Sequence, residues 1–131
     1  MFTFMLDTDT VSFALRGRGQ VATRLLDHRP SEICMSSITL AELRYGADMR
    51  RSRKLHRLID TFGEAMAVAP FDRVAADRFG AIAASLARKG VSIGGFDTLI
   101  AAHALALGLT LVTNNSRHFE RVAGLKTENW V

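Results

Sequence analysis

Near its start the chain contains the stretch FTFMLDTD (residues 2–9), in which an apolar run ends at a carboxylate. Residues 2–6 are rich in strand-forming side chains and predict a buried β-strand that stops at Asp7. A charged group beside buried chain costs free energy unless a partner compensates it. The stretch therefore predicts the first strand of a sheet with a polar site at its carboxyl end.

Outward from this stretch, short apolar runs alternate with segments of helical periodicity. Further strands are predicted at residues 33–35, 65–69 and 109–113, with a last edge strand at 126–128. Helices are predicted at residues 10–15, 21–27, 39–47, 51–64, 72–89, 96–107 and 117–121. This alternation implies right-handed crossovers and a parallel sheet between helix layers. The predicted fold class is α/β: one three-layer α/β/α domain over residues 1–131, with a central, mainly parallel sheet of four to five strands.

Composition is typical of a single soluble domain. The 131 residues are 48% hydrophobic, which is enough for a core, and the single cysteine, Cys34, cannot form an internal disulfide. Cys34 is predicted to be an inert buried thiol, which fits a reducing cytosol. No signal peptide is visible, and the longest apolar run, residues 99–112, is shorter than the roughly 20 residues that span a bilayer. We therefore expect a cytoplasmic protein with no membrane partner.

The positive charge favours a polyanionic partner. The formal net charge is +4 and the isoelectric point is about 10, a balance that favours RNA or DNA, or an acidic protein. Arg16 and Arg18 follow the first acidic stretch, and Arg50 and Arg51 open a second basic run. Contact with an RNA backbone is one interpretation of these arginines; a solvated helix face and a surface for a partner's acidic residues are the others.

Two more acidic stretches resemble the first in character: LAEL (residues 40–43) and FDTL (residues 96–99). In a parallel sheet the binding crevice lies beyond the carboxyl ends of the strands. Asp7 follows the first strand, and Glu42 and Asp97 are expected in the first turns of helices that border the same crevice. Carboxylates at one spot are the hard oxygen ligands that hold Mg²⁺ or Mn²⁺ for phosphodiester hydrolysis.

Each acid also has a purely structural interpretation. Asp7 is suited to cap the following helix, and Thr39 and Glu42 have the spacing of a capping box. Asp97 lies near a helix N-terminus, where the helix dipole favours negative charge. The hydroxyls of Thr8 and Thr113 either orient carboxylates or a water, or simply close turns.

In four blocks that keep their order, the chain resembles PIN-domain ribonucleases and, more narrowly, VapC toxins of bacterial toxin–antitoxin systems. The blocks are MLDTD (residues 5–9), SSITLAEL (36–43), IGGFDTLIAAHA (93–104) and LVTNNSRHF (111–119). The resemblance implies a PIN-like Mg²⁺- or Mn²⁺-dependent endoribonuclease, with Asp7, Glu42 and Asp97 as the catalytic, metal-binding acids. It also implies a tRNA target, with the anticodon region of initiator tRNA as the narrowest expectation. The implied partners are a VapB-like antitoxin, whose tail obstructs the site, and further copies of the chain in a homodimer or higher assembly.

The chain departs from the PIN pattern after the fourth predicted strand. Many PIN domains carry a further acid there, whereas this chain has Asn114 and Asn115. Asn115 is expected to orient a metal-bound water, with Glu120 or Asp9 supplying the missing charge. The expectation is one tightly held ion, with a second recruited alongside substrate.

Other classes of function stay open at the level of sequence. The two asparagines also fit a catalytically weak PIN-fold module that only binds RNA or other partners. Four histidines leave open a metal-free ribonuclease, although no spacing supports it. A structure-specific DNA nuclease is the third alternative.

Overall fold

Five short strands build the central sheet of the computed structural model, which describes residues 1–131. They are β1 (Phe4–Leu6), β2 (Ile33–Ser36), β3 (Ala67–Ala69), β4 (Thr110–Val112) and β5 (Thr127–Glu128). Their order is β3-β2-β1-β4-β5, and every neighbouring pair is parallel. The predicted α/β fold with a parallel sheet is confirmed, and the weak edge strand is present as β5.

Seven helices connect and flank the strands. They are α1 (Thr8–Leu15), α2 (Val21–Leu25), α3 (Ser37–Met49), α4 (Arg53–Ala65), α5 (Arg73–Arg88), α6 (Gly95–Leu107) and α7 (Ser116–Phe119). Side chains of Asp7, Ser36, Ser52 and Asp72 accept backbone N–H bonds at the starts of α1, α3, α4 and α5. These caps satisfy N–H groups that a helix N-terminus otherwise leaves unpaired. They also explain why α1 and α3 begin two residues earlier than periodicity predicts.

Alternation along the strands divides the interior into two apolar cores. Phe4 and Leu6 of β1 face a core that is completed by α1, α3 and α4, whereas Met5 faces the core under α5 and α6. Successive side chains of a strand point to opposite faces of the sheet, so a strand buried on both faces is continuously apolar. The three layers follow from this: α1–α4 lie on one face of the sheet, and α5 and α6 lie on the other.

The strand order reverses beside β1, and this reversal determines where a site can form. β1 leads to β2 and β3 on one side, while β4 and β5 are added on the other side. The crevice at such a switch point opens at the carboxyl ends of the two central strands. Asp7 directly follows β1 and Thr113 directly follows β4, so both lie at the mouth of this crevice.

The last residues of the chain are bound into the fold through Trp130. Its side chain is 1% exposed, stacks on His28 with ring centroids 4.7 Å apart, and meets Phe4 edge-on at 5.0 Å. The indole N–H donates to Glu128 Oε1 at 3.0 Å. The C-terminal segment thereby covers the core that contains β1.

Two further predictions concern Cys34 and the membrane. Cys34 is fully buried in β2, and burial raises the pKa of its thiol to about 12, which makes it a poor nucleophile. None of the helices combines the length and the apolar character that crossing a bilayer would require.

Candidate active site

Asp7 is held where β1 turns into α1. Its Oδ1 accepts a hydrogen bond of 2.9 Å from the backbone N–H of Thr10, and only 4% of the residue is exposed. The capping role predicted for Asp7 is therefore present. A capping carboxylate uses one oxygen for the helix and keeps lone pairs for a second partner, so the cap does not exclude a role in the site.

Glu42 lies in the second turn of α3 instead of the first turn. Because Ser36 caps this helix through the N–H of Ile38, the predicted capping box between Thr39 and Glu42 does not form. The Glu42 carboxylate instead accepts a hydrogen bond of 2.6 Å from the Thr8 hydroxyl. Helix α1 thus orients an acid that α3 carries.

Asp97 lies in the first turn of α6, as the sequence predicts. The residue that precedes this helix, Gly94, has φ of +91° and provides no side-chain cap. The nearest cationic or hydrogen-bonding partner of the Asp97 carboxylate is His118, whose Nε2 lies 3.2 Å from Oδ2. The same Nε2 is bound to the carbonyl oxygen of Ile93.

Electrostatic repulsion links Glu42 to the other two acids. Burial raises the pKa of Asp7, of Glu42 and of Asp97 above the ordinary value of each carboxyl. Repulsion from Asp97, Asp9 and Asp7, in that order, adds to the raised pKa of Glu42. Glu42 therefore lies within electrostatic range of both Asp7 and Asp97, although the three acids are far apart in the sequence.

A divalent cation, which the resemblance implies, is compatible with this donor set. Buried and mutually repelling carboxylates are the chemistry that a metal ion stabilises. No group of three or more His, Cys, Asp or Glu side chains lies close enough together to hold a metal ion by itself. Mg²⁺ does not need one, because it keeps several waters and takes only one or two direct carboxylates. Asp7, Glu42 and Asp97 are the residues that would hold it.

The supporting residues fall into two groups. Asp9 is exposed, yet its charge acts on Asp7, Glu42 and Asp97, and the Thr113 side chain lowers the pKa of Asp7. Asn115 and Glu120 are exposed at the two ends of α7, and the charge of Glu120 does not influence the three acids. Of the two candidates for the missing charge, only Asp9 interacts with the site.

An open pocket of about 270 Å³ between α1, α3 and α4 is lined by Glu42 but not by Asp7 or Asp97. Its other lining residues include Thr8 and Asp9, the arginines Arg16 and Arg50, and the apolar side chains of Leu15, Leu43 and Leu55. Arg18 and Arg51 are exposed outside it. The four arginines singled out in the sequence are thus divided, with Arg16 and Arg50 lining the pocket that Glu42 also lines.

His118 is the site residue that sequence reasoning missed. In the sequence the histidines suggest only a general base–acid pair or zinc ligands, and their spacing supports neither role. The signal that could have found it is the position of His118 in the block LVTNNSRHF, directly after the strand that borders Asp7. Its contact with Asp97 joins two segments that are 21 residues apart in the chain, and local sequence does not specify such a contact.

Comparison with known proteins agrees with this geometry. The chain matches the PIN domain family over residues 4–125. It is 40% identical over 131 residues to the tRNA(fMet)-specific endonuclease VapC of Shigella flexneri, covering 99% of both chains. The crystal structure of DNA-bound VapBC from Salmonella typhimurium matches with a TM-score of 0.90 and 41% identity over 100% of both chains. VapBC2 from Rickettsia felis, bound to a promoter DNA fragment, matches with a TM-score of 0.88 and 33% identity, covering 99% of this chain and 100% of the other.

These matches span the whole chain and include both its sequence and its fold. PIN-domain nucleases generally depend on divalent metal ions, which agrees with the clustered carboxylates. The resemblance of the four sequence blocks is therefore confirmed: the chain belongs to the PIN-domain family and, within it, to the VapC ribonucleases.

Proposed function

We propose that this chain is the toxin of a toxin–antitoxin pair and hydrolyses phosphodiester bonds of tRNA with the help of Mg²⁺, for which Mn²⁺ substitutes. The narrowest form of the proposal is cleavage of initiator tRNA in the anticodon region. The electrostatic link of Glu42 to Asp7 and Asp97 carries the proposal, because the three acids come from different parts of the chain and the charges of Asp7 and Asp97 both raise the pKa of Glu42. A relative that is 40% identical is named as a tRNA(fMet)-specific endonuclease, and this name supports the choice of substrate.

The proposed chemistry is hydrolysis by water. When bound, a divalent ion would lower the pKa of a coordinated water and stabilise negative charge at the scissile phosphate. Asp7 and Asp97 are the candidate bases for the attacking water, since their raised pKa values strengthen their hold on a proton. The water attacks phosphorus, the P–O3′ bond breaks and the O3′ leaving group takes up a proton, which leaves a 5′-phosphate and a 3′-hydroxyl without participation of the 2′-hydroxyl.

In this proposal, neighbouring threonine hydroxyls orient the carboxylates. Thr8 donates to Glu42, and Thr113 lies beside Asp7. Asp9 adds negative charge that strengthens attraction for a cation. Asn115 and Glu120 are the least supported members of the proposed site, because their side chains are exposed at the ends of α7.

RNA backbone contact is assigned first to Arg16 and Arg50. A phosphate next to the scissile one requires positive charge close to the acids, and these two arginines line the same pocket as Glu42. Arg18 and Arg51 lie farther out and would act as general phosphate contacts. A pocket that contains both acids and arginines is suited to bind a chain of phosphates of which one is cut.

A VapB-like antitoxin is the proposed protein partner. An apolar groove between α2 and α4 is proposed to bind an apolar segment of the antitoxin. It is lined by Leu25, Leu26, Phe62 and Met66. Two similar solved structures are VapBC complexes.

Tyr45 and Met49, both 68% exposed and one turn apart on α3, are suited to contact a second copy in a homodimer or higher assembly. We propose the cytoplasm as the site of action, because the proposed substrate is tRNA.

The test is cleavage of a defined tRNA by antitoxin-free protein. Initiator tRNA and elongator methionine tRNA are incubated with the protein and Mg²⁺ or Mn²⁺, with and without EDTA, and the fragment ends are determined. The expected result is metal-dependent cutting of the initiator tRNA, sensitive to EDTA, with 5′-phosphate ends.

Other outcomes separate the alternatives. Tight tRNA binding without fragments would support the RNA-binding module. EDTA-resistant cutting with 2′,3′-cyclic phosphate ends would support a histidine-based ribonuclease. Cleavage of a single-stranded or flap DNA but not of tRNA would support a DNA nuclease. Each of these results would overturn the proposal.

A further inference from the structure

We propose that His118 is a positioning residue that fixes the orientation of the Asp97 carboxylate for metal binding. The inference rests on the proposed metal-dependent function, but it concerns an interaction that exists in the protein before any substrate arrives. It places a hydrogen-bond donor, His118, in the segment after β4, where many PIN domains carry a further acid.

The first argument comes from a comparison of the three acids. Asp7 receives the N–H of Thr10, and Glu42 receives the hydroxyl of Thr8. The Asp97 carboxylate receives no N–H or hydroxyl hydrogen bond from its own helix. His118 lies 3.2 Å from Asp97 Oδ2 and occupies the position of the missing donor.

The second argument concerns the hydrogen on Nε2. Both the Ile93 carbonyl and the Asp97 carboxylate accept hydrogen bonds and cannot donate one. Nε2 must therefore carry the hydrogen, whatever the state of Nδ1. The two acceptors thus select one tautomer of the ring, with Nε2 hydrogen-bonded to the carbonyl of Ile93, which precedes α6, and 3.2 Å from Asp97 Oδ2 in the first turn of that helix.

The third argument is that His118 itself is held in place. Its neighbour Phe119 is 1% exposed and packs in the core under α5 and α6, with its ring edge-on to the imidazole at 5.5 Å. The Ile93 residue to which His118 binds is also buried. The imidazole is therefore held in place on two sides. By contrast, Gly94 and Gly95 lie next to each other at the start of α6, and glycine allows the backbone there to adopt many conformations.

A donor that occupies Oδ2 leaves the other oxygen of Asp97 free for a metal ion. Partners that hold a ligating carboxylate in one orientation raise metal affinity, and their loss typically lowers it by about 10- to 100-fold. The same orientation serves catalysis, because a ligand that rotates freely spends less time in the productive geometry.

The experiment compares His118→Leu, which removes the donor, with His118→Gln, which retains an amide N–H of similar reach. His56→Leu is the matched control, since His56 pairs with Asp48 at 2.8 Å on the surface of α3 and α4, away from Asp97. Mn²⁺ affinity is measured by calorimetry on the antitoxin-free protein without RNA, and kcat and KM are measured separately on tRNA.

We expect His118→Leu to weaken Mn²⁺ binding by at least about 10-fold and to lower kcat with little change in KM. His118→Gln should recover most of both losses, and His56→Leu should behave like the wild type. Long-range ¹H–¹⁵N spectra of the wild type at a pH where the imidazole is neutral should show the Nε2–H tautomer.

Four results would overturn the inference: unchanged Mn²⁺ affinity in His118→Leu, no recovery in His118→Gln, the Nδ1–H tautomer in the spectra, or a wild type that binds no Mn²⁺. Because metal binding is read without RNA, a wild type that binds Mn²⁺ but leaves tRNA intact would refute the proposed function and still decide the role of His118.

Discussion

The hydroxyl of Thr8 lies 2.6 Å from Glu42 Oε1, across 34 residues of sequence. This hydrogen bond joins the start of α1 to the second turn of α3 at the edge of the crevice. Burial raises the pKa of Glu42, and the Thr8 hydroxyl acts in the opposite direction by favouring the charged form. The bond therefore offsets part of the rise in the Glu42 pKa that burial and the neighbouring acids cause.

Replacement of Thr8 by valine should weaken metal binding. Valine has the shape of threonine but no hydroxyl, so Glu42 loses the donor that orients it. We expect a reduction of roughly 10-fold in Mn²⁺ affinity, measured by calorimetry, and a parallel loss of cleavage. Thr8→Ser keeps the hydroxyl and should retain most of the affinity; equal losses in both variants would contradict a role for the hydrogen bond.

Neutralisation of the central acids should separate activity from stability. Asp7→Asn and Asp97→Asn remove a metal ligand, so cleavage should fall by at least about 100-fold. The metal-free variants should also melt about 2–4 °C higher than the wild type, because a repelling charge is gone and asparagine still caps α1 at position 7. Thermal denaturation in EDTA and gel-based cleavage assays measure the two effects.

Asp77→Asn is the matched control for these two variants. Asp77 is an exposed acid on α5, in the layer opposite α1 and α3. Its replacement should alter neither cleavage nor metal affinity. Full activity in Asp7→Asn or Asp97→Asn would exclude the proposed site.

The metal-free protein should become less stable, relative to Asp7→Asn, as the pH rises. A carboxyl whose pKa is higher in the folded chain binds protons more tightly there, so deprotonation in the interval above the ordinary value lowers the free energy of unfolding. Burial places Asp7 in this class. Urea unfolding in EDTA between about pH 4 and pH 8 should show a difference between Asp7→Asn and wild type that grows with pH.

Saturating Mn²⁺ should cancel this trend, because the ion stabilises the ionised carboxylates of the folded state only. A stability difference that is independent of pH in EDTA would show that the Asp7 pKa is not raised.

Removal of the two arginines of the pocket should affect substrate binding rather than metal binding. Arg16→Ala combined with Arg50→Ala should raise KM for tRNA and reduce the slope of log affinity against log salt by about 1 for each phosphate that is no longer neutralised. Mn²⁺ affinity measured without RNA should stay unchanged. Arg88→Ala on α5 is the control, and a double variant that behaves like Arg88→Ala would exclude the pocket as a phosphate site.

The C-terminal tryptophan should contribute strongly to stability. Trp130 is buried between His28 and Phe4, and replacement by alanine would leave a large cavity. We expect a loss of about 3–5 kcal/mol in the free energy of unfolding, measured with denaturant. Trp130→Phe keeps the stacking and should lose less, and equal losses would indicate that aromatic packing does not matter there.

Local patterns were sufficient for the sequence to predict the strands and helices. Apolar runs such as residues 2–6 and 33–35 correspond to β1 and β2, because a strand buried on both faces needs nearly every side chain to be apolar. Boundaries differ where caps decide them: Ser36 starts α3 early, which moves Glu42 to the second turn and removes the predicted capping box. Capping depends on the φ and ψ values of one residue, and periodicity does not report these angles.

The sequence by itself determined the α/β class and indicated Asp7, Glu42 and Asp97 as the candidate acids, because alternation of strands and helices, and carboxylates beside apolar runs, are local properties. Only the tertiary structure decided which groups meet: Thr8 with Glu42, His118 with Asp97, and Arg16 with Arg50 in one pocket. The physical reason is that these contacts arise where parallel strands end and helices pack, and helix packing depends on the shape of two complete cores.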